Sequence, residues 1–254
     1  MSALRLSTEP NRTEVCAKHG EFESRHIFGK IWTRCAHCAA AEQSEEEERR
    51  AEQVRMRRQV ELYQRVGAAC IPERFRDRRL ETFRAETDEQ KAALAFAKAF
   101  AADFDSIMTT GRSALLIGRP GTGKTHLSVG IAHAVMDEGY TALFTTTIRA
   151  LRRVKDTWSR GAQETESQAV AALTAPDLLI LDEVGIQFGS ETEKQILFDV
   201  LNERYEKRRP TLYLSNLTVP EVRTFLGERI FDRIREDGGK VVTFDWSSHR
   251  GKQA

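Results

Sequence analysis

From Asp88 to Ile107, apolar side chains at Leu94, Ala97, Ala101 and Phe104, with Phe96 and Phe100 beside them, keep helical spacing and predict one helix with a single buried stripe. The pattern then changes. Four short apolar runs follow: Ala114-Leu115-Leu116-Ile117, Thr141-Ala142-Leu143-Phe144, Leu178-Leu179-Ile180-Leu181 and Thr211-Leu212-Tyr213-Leu214, separated mostly by amphipathic segments. Strands alternating with helices predict an α/β fold, a parallel sheet flanked by helices on both faces. A last strand is expected at Lys240-Val241-Val242-Thr243-Phe244 after the turn Gly238-Gly239, with no room beyond it for a sizeable C-terminal helical lid.

Upstream, residues 1–40 are rich in Cys, His and aromatics, while residues 42–65 switch to Glu42-Gln43-Ser44-Glu45-Glu46-Glu47-Glu48-Arg49-Arg50 and then Arg55, Arg57 and Arg58. This acid-then-base order suits a helix dipole and i,i+4 pairs, either as a solvated linker helix or as a partner-binding one. The chain of 254 residues has room for one α/β domain of ordinary size and a small accessory module. With 39 Lys+Arg against 38 Asp+Glu, net charge gives no general argument for nucleic-acid binding and leaves only local patches. No run approaches the roughly 20 apolar residues that span a bilayer, and the first 30 residues lack the apolar core of a signal peptide, so a soluble, cytoplasmic protein with no membrane partner is expected.

In a reducing compartment, cysteines serve more often as metal ligands or free thiols than as disulfides. Cys16-Ala17-Lys18-His19 and Cys35-Ala36-His37-Cys38 form two knuckles separated by 15 residues, which suits a small zinc ribbon with Cys16, His19, Cys35 and Cys38 as Zn²⁺ ligands. His26 and His37 are alternatives to His19, and Gly20 eases the first turn. With every ligand supplied by protein the site is structural. Cys70, outside the cluster, is expected to be a packed thiol.

Gly118-Arg119-Pro120-Gly121-Thr122-Gly123-Lys124-Thr125 follows a predicted strand and opens a helical pattern through Leu127, Ile131, Val135 and Met136, the context a phosphate-binding loop requires. Its glycines let backbone N–H groups close on phosphates, Lys124 neutralises the β/γ oxygens, and Thr125 holds Mg²⁺. The adjoining His126 is placed in the same nucleotide-binding set. Leu178 to Leu181 delivers Asp182 and Glu183 to a strand end beside that loop, Asp182 for Mg²⁺ and Glu183 to orient and deprotonate the attacking water. Asn216, after the strand at Thr211, either bonds the water or γ-phosphate or caps the strand. Arg229 and Arg233 fall on one face of a short helix, as nucleotide sensors or as a solvated face.

Several segments carry a resemblance over roughly residues 70–254: the loop at 118–125, Val154-Lys155-Asp156-Thr157-Trp158, Asp182-Glu183-Val184-Gly185-Ile186-Gln187, Glu193-Lys194, Arg209-Pro210-Thr211, Gly227 to Arg235, and Phe244-Asp245-Trp246-Ser247-Ser248-His249-Arg250. The sequence resembles the family of bacterial replicative helicase loaders typified by DnaC and its phage-type relatives. The resemblance implies an AAA+ ATPase that uses ATP and Mg²⁺ in escorting a replicative DNA helicase onto single-stranded DNA. It also implies Arg233 as an arginine finger acting on a neighbouring subunit, Arg250 and Asn216 as sensors, and Trp158 near single-stranded DNA. The N-terminus does not visibly match the helicase-binding region of the best-known loader.

The resulting division is a zinc-ribbon-like module at 1–41, a charged linker helix at 42–68 and the AAA+ ATPase domain at 69–254. Two other functions compete: the ATPase that assists transposases of one class of insertion sequence, which shares the P-loop but usually departs at the segments corresponding to Asp182–Gln187 and Gly227–Arg235, and a zinc-stapled ATP-binding adaptor with little turnover.

Overall fold

A computed structural model describes residues 10–28, 30–186 and 190–248, of which 54, 55 and 57–66 by backbone only. Gln187, His249 and Arg250 therefore lie outside the described residues. The chain divides into two compact units, Met1–Glu61 and Leu62–Ala254.

In the first unit β1 (Arg12–Cys16) and β2 (Gly20–Ser24) form an antiparallel hairpin, and β3 (His26–Phe28) pairs with β4 (Ile31–Trp32) in a second. Gly20, at φ +79° with open space where a Cβ would sit, allows the first turn. The helix α1 (Ala36–Ala68) starts six residues before the expected linker at 42, so Cys38 stands in its first turn rather than in a second hairpin knuckle. Its exposed i,i+4 pairs include Arg50 to Glu46 at 2.5 Å and Gln43 to Glu47 at 3.0 Å.

The second unit opens with α2 (Asp88–Ala102), started by a capping box between Thr87 and Gln90, and α3 (Phe104–Thr110). The single helix expected over 88–107 breaks at Asp103, whose carboxylate accepts from Arg112 at 2.6 Å, while Phe100 and Phe104 keep the apolar stripe continuous with rings 6.3 Å apart. The sheet then builds in sequence: β5 (Ala114–Gly118), α4 (Lys124–Asp137), β6 (Ala142–Thr146), α5 (Thr147–Asp156), α6 (Glu166–Thr174), β7 (Leu178–Asp182), α7 (Glu191–Glu206), β8 (Thr211–Ser215), α8 (Val219–Leu226), α9 (Glu228–Arg235) and β9 (Lys240–Phe244).

Its five strands are all parallel, in the order β6-β7-β8-β5-β9. Alternate residues of each strand serve the two faces. Ala114, Leu116, Ile180 and Leu214 join Phe100, Phe104, Leu127 and Ile131 from α2, α3 and α4, while Leu115, Ile117, Leu181 and Tyr213 join Leu151, Leu173, Leu197 and Ile230 from α5, α6, α7 and α9. Helices on both faces explain why these strands read as unbroken apolar runs. Cys70, expected to be packed, is exposed at φ +53°, because the chain turns there between Ala69, which is fully buried, and Ile71. No described helix is long and apolar enough to cross a membrane.

Candidate functional site

A parallel sheet gathers its strand C-termini at one edge, the usual place for a ligand site. There β5 ends in Gly118, and the loop to α4 is held by three glycines at positive φ: Gly118 at 141°, Gly121 at 80° and Gly123 at 99°. A Cβ on Gly118 would come within 2.2 Å of the Phe244 carbonyl oxygen, and one on Gly123 within 2.6 Å of the Phe83 ring. Lys124, the first residue of α4, is buried with Nζ donating to the carbonyls of Gly118 at 2.6 Å and Arg119 at 2.9 Å. Thr122 Oγ1 donates to the Arg119 carbonyl at 2.8 Å, and the Trp246 indole N–H donates to the Thr122 carbonyl at 3.0 Å. The first turn of α4 so offers its N–H groups and a lysine to phosphate.

β7 is not the immediate neighbour expected of it, since β8 lies between β7 and β5. The Asp182 carboxylate nevertheless meets the loop: Thr125 Oγ1 donates to its Oδ2 at 3.1 Å. Two ligands on adjacent corners of an octahedral Mg²⁺ at 2.0–2.1 Å sit about 2.9 Å apart. This pair therefore fits such an ion. The Glu183 N–H donates to Asp182 Oδ1 at 2.7 Å, and Thr147 Oγ1 donates to the Asp182 carbonyl at 3.1 Å. Burial raises the Asp182 pKa, opposed by the Glu183 N–H, the Thr125 hydroxyl and the Lys124 ammonium. Glu183 takes the left-handed conformation at φ +60°, a strained state of the kind that persists at functional sites, followed by the buried Val184 and by Gly185 at φ +98°. Asn216 follows directly on β8, so it leaves the same edge between the P-loop strand and the Asp182 strand, exposed.

The His126 ring turns toward the segment before α2. Its Nε2 contacts the Arg79 carbonyl at 2.9 Å and Thr82 Oγ1 at 3.1 Å, and its ring stands edge-on to Phe83 at 5.3 Å. Burial, more than the nearby Arg78 charge, lowers its pKa, against the pull of the Arg79 carbonyl. Phe83 and Trp246 brace the loop from segments remote in sequence, contacts that no local spacing announces, and His126 ties the start of α4 to Arg79 and Thr82.

Arg233 is absent from that edge. Its guanidinium lies 4.2 Å from the Tyr205 ring centre and donates to Asn202 Oδ1 at 2.5 Å, and with Gly111, Ser113 and Arg209 it lines a small cavity where β5 begins. A five-residue strand, about 17 Å, separates that end from the P-loop. Arg229 packs over the Phe198 ring at 5.5 Å. Trp158 lies in the turn after α5, 51% exposed, its N–H donating to Glu166 at 2.6 Å.

In the first unit Cys16, His19, Cys35 and Cys38 converge, their ligand atoms all within 4.8 Å of one another. Cys16 Sγ is 3.5 Å from Cys38 Sγ, and His19 Nδ1 is 3.6, 3.6 and 3.3 Å from the sulfurs of Cys16, Cys35 and Cys38. The edge of a tetrahedron with Zn–S of 2.3 Å is about 3.8 Å, so the donor set fits Zn²⁺. The Lys18 N–H, then the His19 ring and backbone, lower the Cys16 pKa to about 6, while the neighbouring Cys16 sulfur raises Cys38 to about 11. His26 instead packs edge-on to Trp32 at 5.1 Å, and His37 lies beside His19 with ring centres 5.3 Å apart.

Comparison with known proteins agrees with this geometry. The family model described as IstB-like ATP binding protein matches residues 42–253. The replicative helicase loader DnaC of Escherichia coli strain K12 is 34% identical over 172 residues, covering 68% of this chain and 69% of that protein. The uncharacterized protein YdaV of the same strain is 30% identical over 209 residues, covering 82% of each. Among solved structures, the DnaC helicase loader superposes with a TM-score of 0.60 at 22% identity, over 68% of this chain and 99% of that one. DnaI gives 0.58 at 21%, over 70% and 95%. The last two establish a shared fold. With the P-loop, the Asp182 strand and the five-stranded sheet all inside the matched span, the chain belongs to the IstB-like ATP binding protein family.

Proposed function

We propose that this protein is an ATP-hydrolysing helicase loader, which escorts a replicative DNA helicase onto single-stranded DNA. The observation that carries the hydrolytic part is the contact between Thr125 and Asp182, with Glu183 fixed at the next residue by its own N–H bond to Asp182. Thr125 and Asp182 would hold Mg²⁺, which screens phosphate charge when bound. Lys124 exchanges its two loop carbonyls for the β/γ oxygens as ATP enters. Glu183 takes the proton of the attacking water and Asn216 helps to place that water, since phosphoryl transfer rests on positioning and charge neutralisation. Arg250 is retained as a second sensor on the resemblance alone.

The helicase and the DNA as partners rest on the curated relatives named as loaders and on the wording shared at Asp182–Gln187 and Gly227–Arg235. The exposed face of α5 adds Arg149, Arg152 and Lys155, and Trp158 follows it, a basic and aromatic surface suited to a strand of unstacked bases. Because Arg233 sits at the far end of β5 from its own P-loop, it acts on a neighbour's nucleotide. Hydrolysis should then rise more steeply than protein concentration in the native chain and lose that dependence in Arg233→Ala; an unchanged profile removes the finger.

The decisive experiment is Glu183→Gln in a loading assay with helicase and single-stranded DNA. ATP affinity is expected to stay while hydrolysis drops by about 10²–10⁴-fold, trapping a helicase complex. Unimpaired hydrolysis would remove Glu183 as the base. Binding of duplex DNA and a transposase in place of the helicase would establish the transposition helper instead.

A further inference from the structure

One local departure from the chain's balanced charge lies in the first unit. Between Glu23 and Glu42 no carboxylate occurs, while Arg25, Lys30 and Arg34 do, in a chain whose acids and bases otherwise number 38 and 39. The same stretch holds three of the most exposed large apolar side chains among the described residues: Phe28 at 78%, Ile31 at 59% and Ile27 at 57%. All three belong to the β3–β4 hairpin, where the register sets Phe28 opposite Ile31 and His26 opposite Trp32. Trp32 already carries a cation, the Arg12 guanidinium 4.0 Å from its ring centre.

Isolated exposed apolar residues need no explanation, but an aromatic and two isoleucines gathered on one hairpin do. Neither the packing of the unit nor the zinc ligands uses them. We propose that the β3–β4 hairpin is a contact surface for single-stranded nucleic acid, with Phe28 stacking on a base and Arg25 and Lys30 meeting the flanking phosphates.

Three features select this occupant. The charge is of one sign, which asks for a polyanion. The Phe28 ring is open to solvent at the end of β3, which suits a partner with an exposed π-face, and a single strand offers its bases where a duplex hides them. The exposed apolar residues lie on strands of only three and two residues, far smaller than the amphipathic surface that an anionic membrane holds. Arg34 lies 3.4 Å from Glu42, so Arg25 and Lys30 carry most of the phosphate contact.

This surface is separate from the one assigned to α5 and does not depend on the ATPase reading, so it is tested without nucleotide. The full chain is titrated with fluorescein-labelled oligothymidine at several salt concentrations, as the native protein, as Phe28→Ala, as Arg25→Gln/Lys30→Gln and as Trp158→Ala. Phe28→Ala is expected to weaken binding about tenfold, as for loss of one stacked base. The double variant should lower the slope of log affinity against log salt by about 1.4, two contacts at 0.7 each for a single strand. Side chains this exposed are replaceable without unfolding, and matching circular dichroism spectra confirm it.

Native affinity and slope in both hairpin variants, with all loss confined to Trp158→Ala, would overturn the proposal. Two other outcomes also overturn it: intact oligothymidine binding with loss of helicase retention, which makes the hairpin a protein-docking surface, and intact binding with loss of adhesion to phosphatidylserine vesicles, which makes it a membrane contact.

Discussion

At the scale of single residues, the motif and its bracing carry different amounts of local information. Gly118 to Thr125, Asp182 and Glu183 stand out in the sequence because phosphate and Mg²⁺ chemistry demands those residue types at those offsets. Phe83, 40 residues before Gly123, touches it only through the tertiary fold, and no spacing rule points there. His126 carries tertiary information of the same kind: next to Thr125 in sequence, it turns its ring into the 79–83 segment. The dependence of the loop on that segment is testable. Gly123→Ala puts a Cβ 2.6 Å from the Phe83 ring at φ +99°, so it is expected to lose about 1–2 kcal/mol of stability and to weaken ATP binding, in thermal unfolding and nucleotide titration. Phe83→Ala in the same chain removes the clash but not the backbone strain, so it should restore only part of the loss. Native stability and affinity in Gly123→Ala would show that the loop accommodates a side chain there.

At the scale of elements, four of the five strands were legible as apolar runs because both sheet faces are covered, and β9, which carries Lys240 and Thr243, was legible from its two valines after the Gly238-Gly239 turn. Two boundaries were not. The stripe from Leu94 to Phe104 continues across the break at Asp103, since periodicity follows the buried face and not the backbone bonds. The start of α1 at Ala36 was hidden because Cys35 and Cys38 satisfy a knuckle spacing and a helical first turn equally well. Least visible was what ties α7 to the sheet. Arg204, 1% exposed, donates to Thr211 Oγ1 at 3.0 Å and to the carbonyls of Leu173, Thr174, Pro176, Asp177 and Pro210 at 2.7–3.3 Å. It joins the end of α6 and the starts of β7 and β8, away from the nucleotide edge. Arg204→Met keeps the apolar stem but strands those acceptors, so a loss of about 3–5 kcal/mol is expected in denaturant unfolding. The midpoint should fall with ATP affinity in the folded protein unchanged. A loss below 1 kcal/mol would mean that water reaches the carbonyls.

At the scale of the whole molecule, the two units are held together by different physics. The second has two apolar layers around a five-stranded sheet. In the first, among the described residues, only Cys35 and Ser24 are buried, and Cys35 belongs to the metal cluster. So small a core cannot offset the conformational entropy of ordering two hairpins, and Zn²⁺ bound by the Cys16, His19, Cys35 and Cys38 cluster would supply the missing term, about 10–16 kcal/mol in small zinc modules near neutral pH. On that account the stability of this unit is expected to depend on the metal, and that of the nucleotide-binding unit is not. A zinc-selective chelator, with Mg²⁺ kept in excess, should release one Zn²⁺ per chain and open the segment Arg12–Trp32 to protease while ATP binding and the main thermal transition persist. Cys38→Ser should reproduce that state without chelator, because three ligands leave the ion exposed to water. If the metal-free chain keeps the hairpins protected, the ligand cluster is not the staple. If chelation instead lowers the main transition, then the metal stabilises the ATPase unit as well, and the two do not unfold independently.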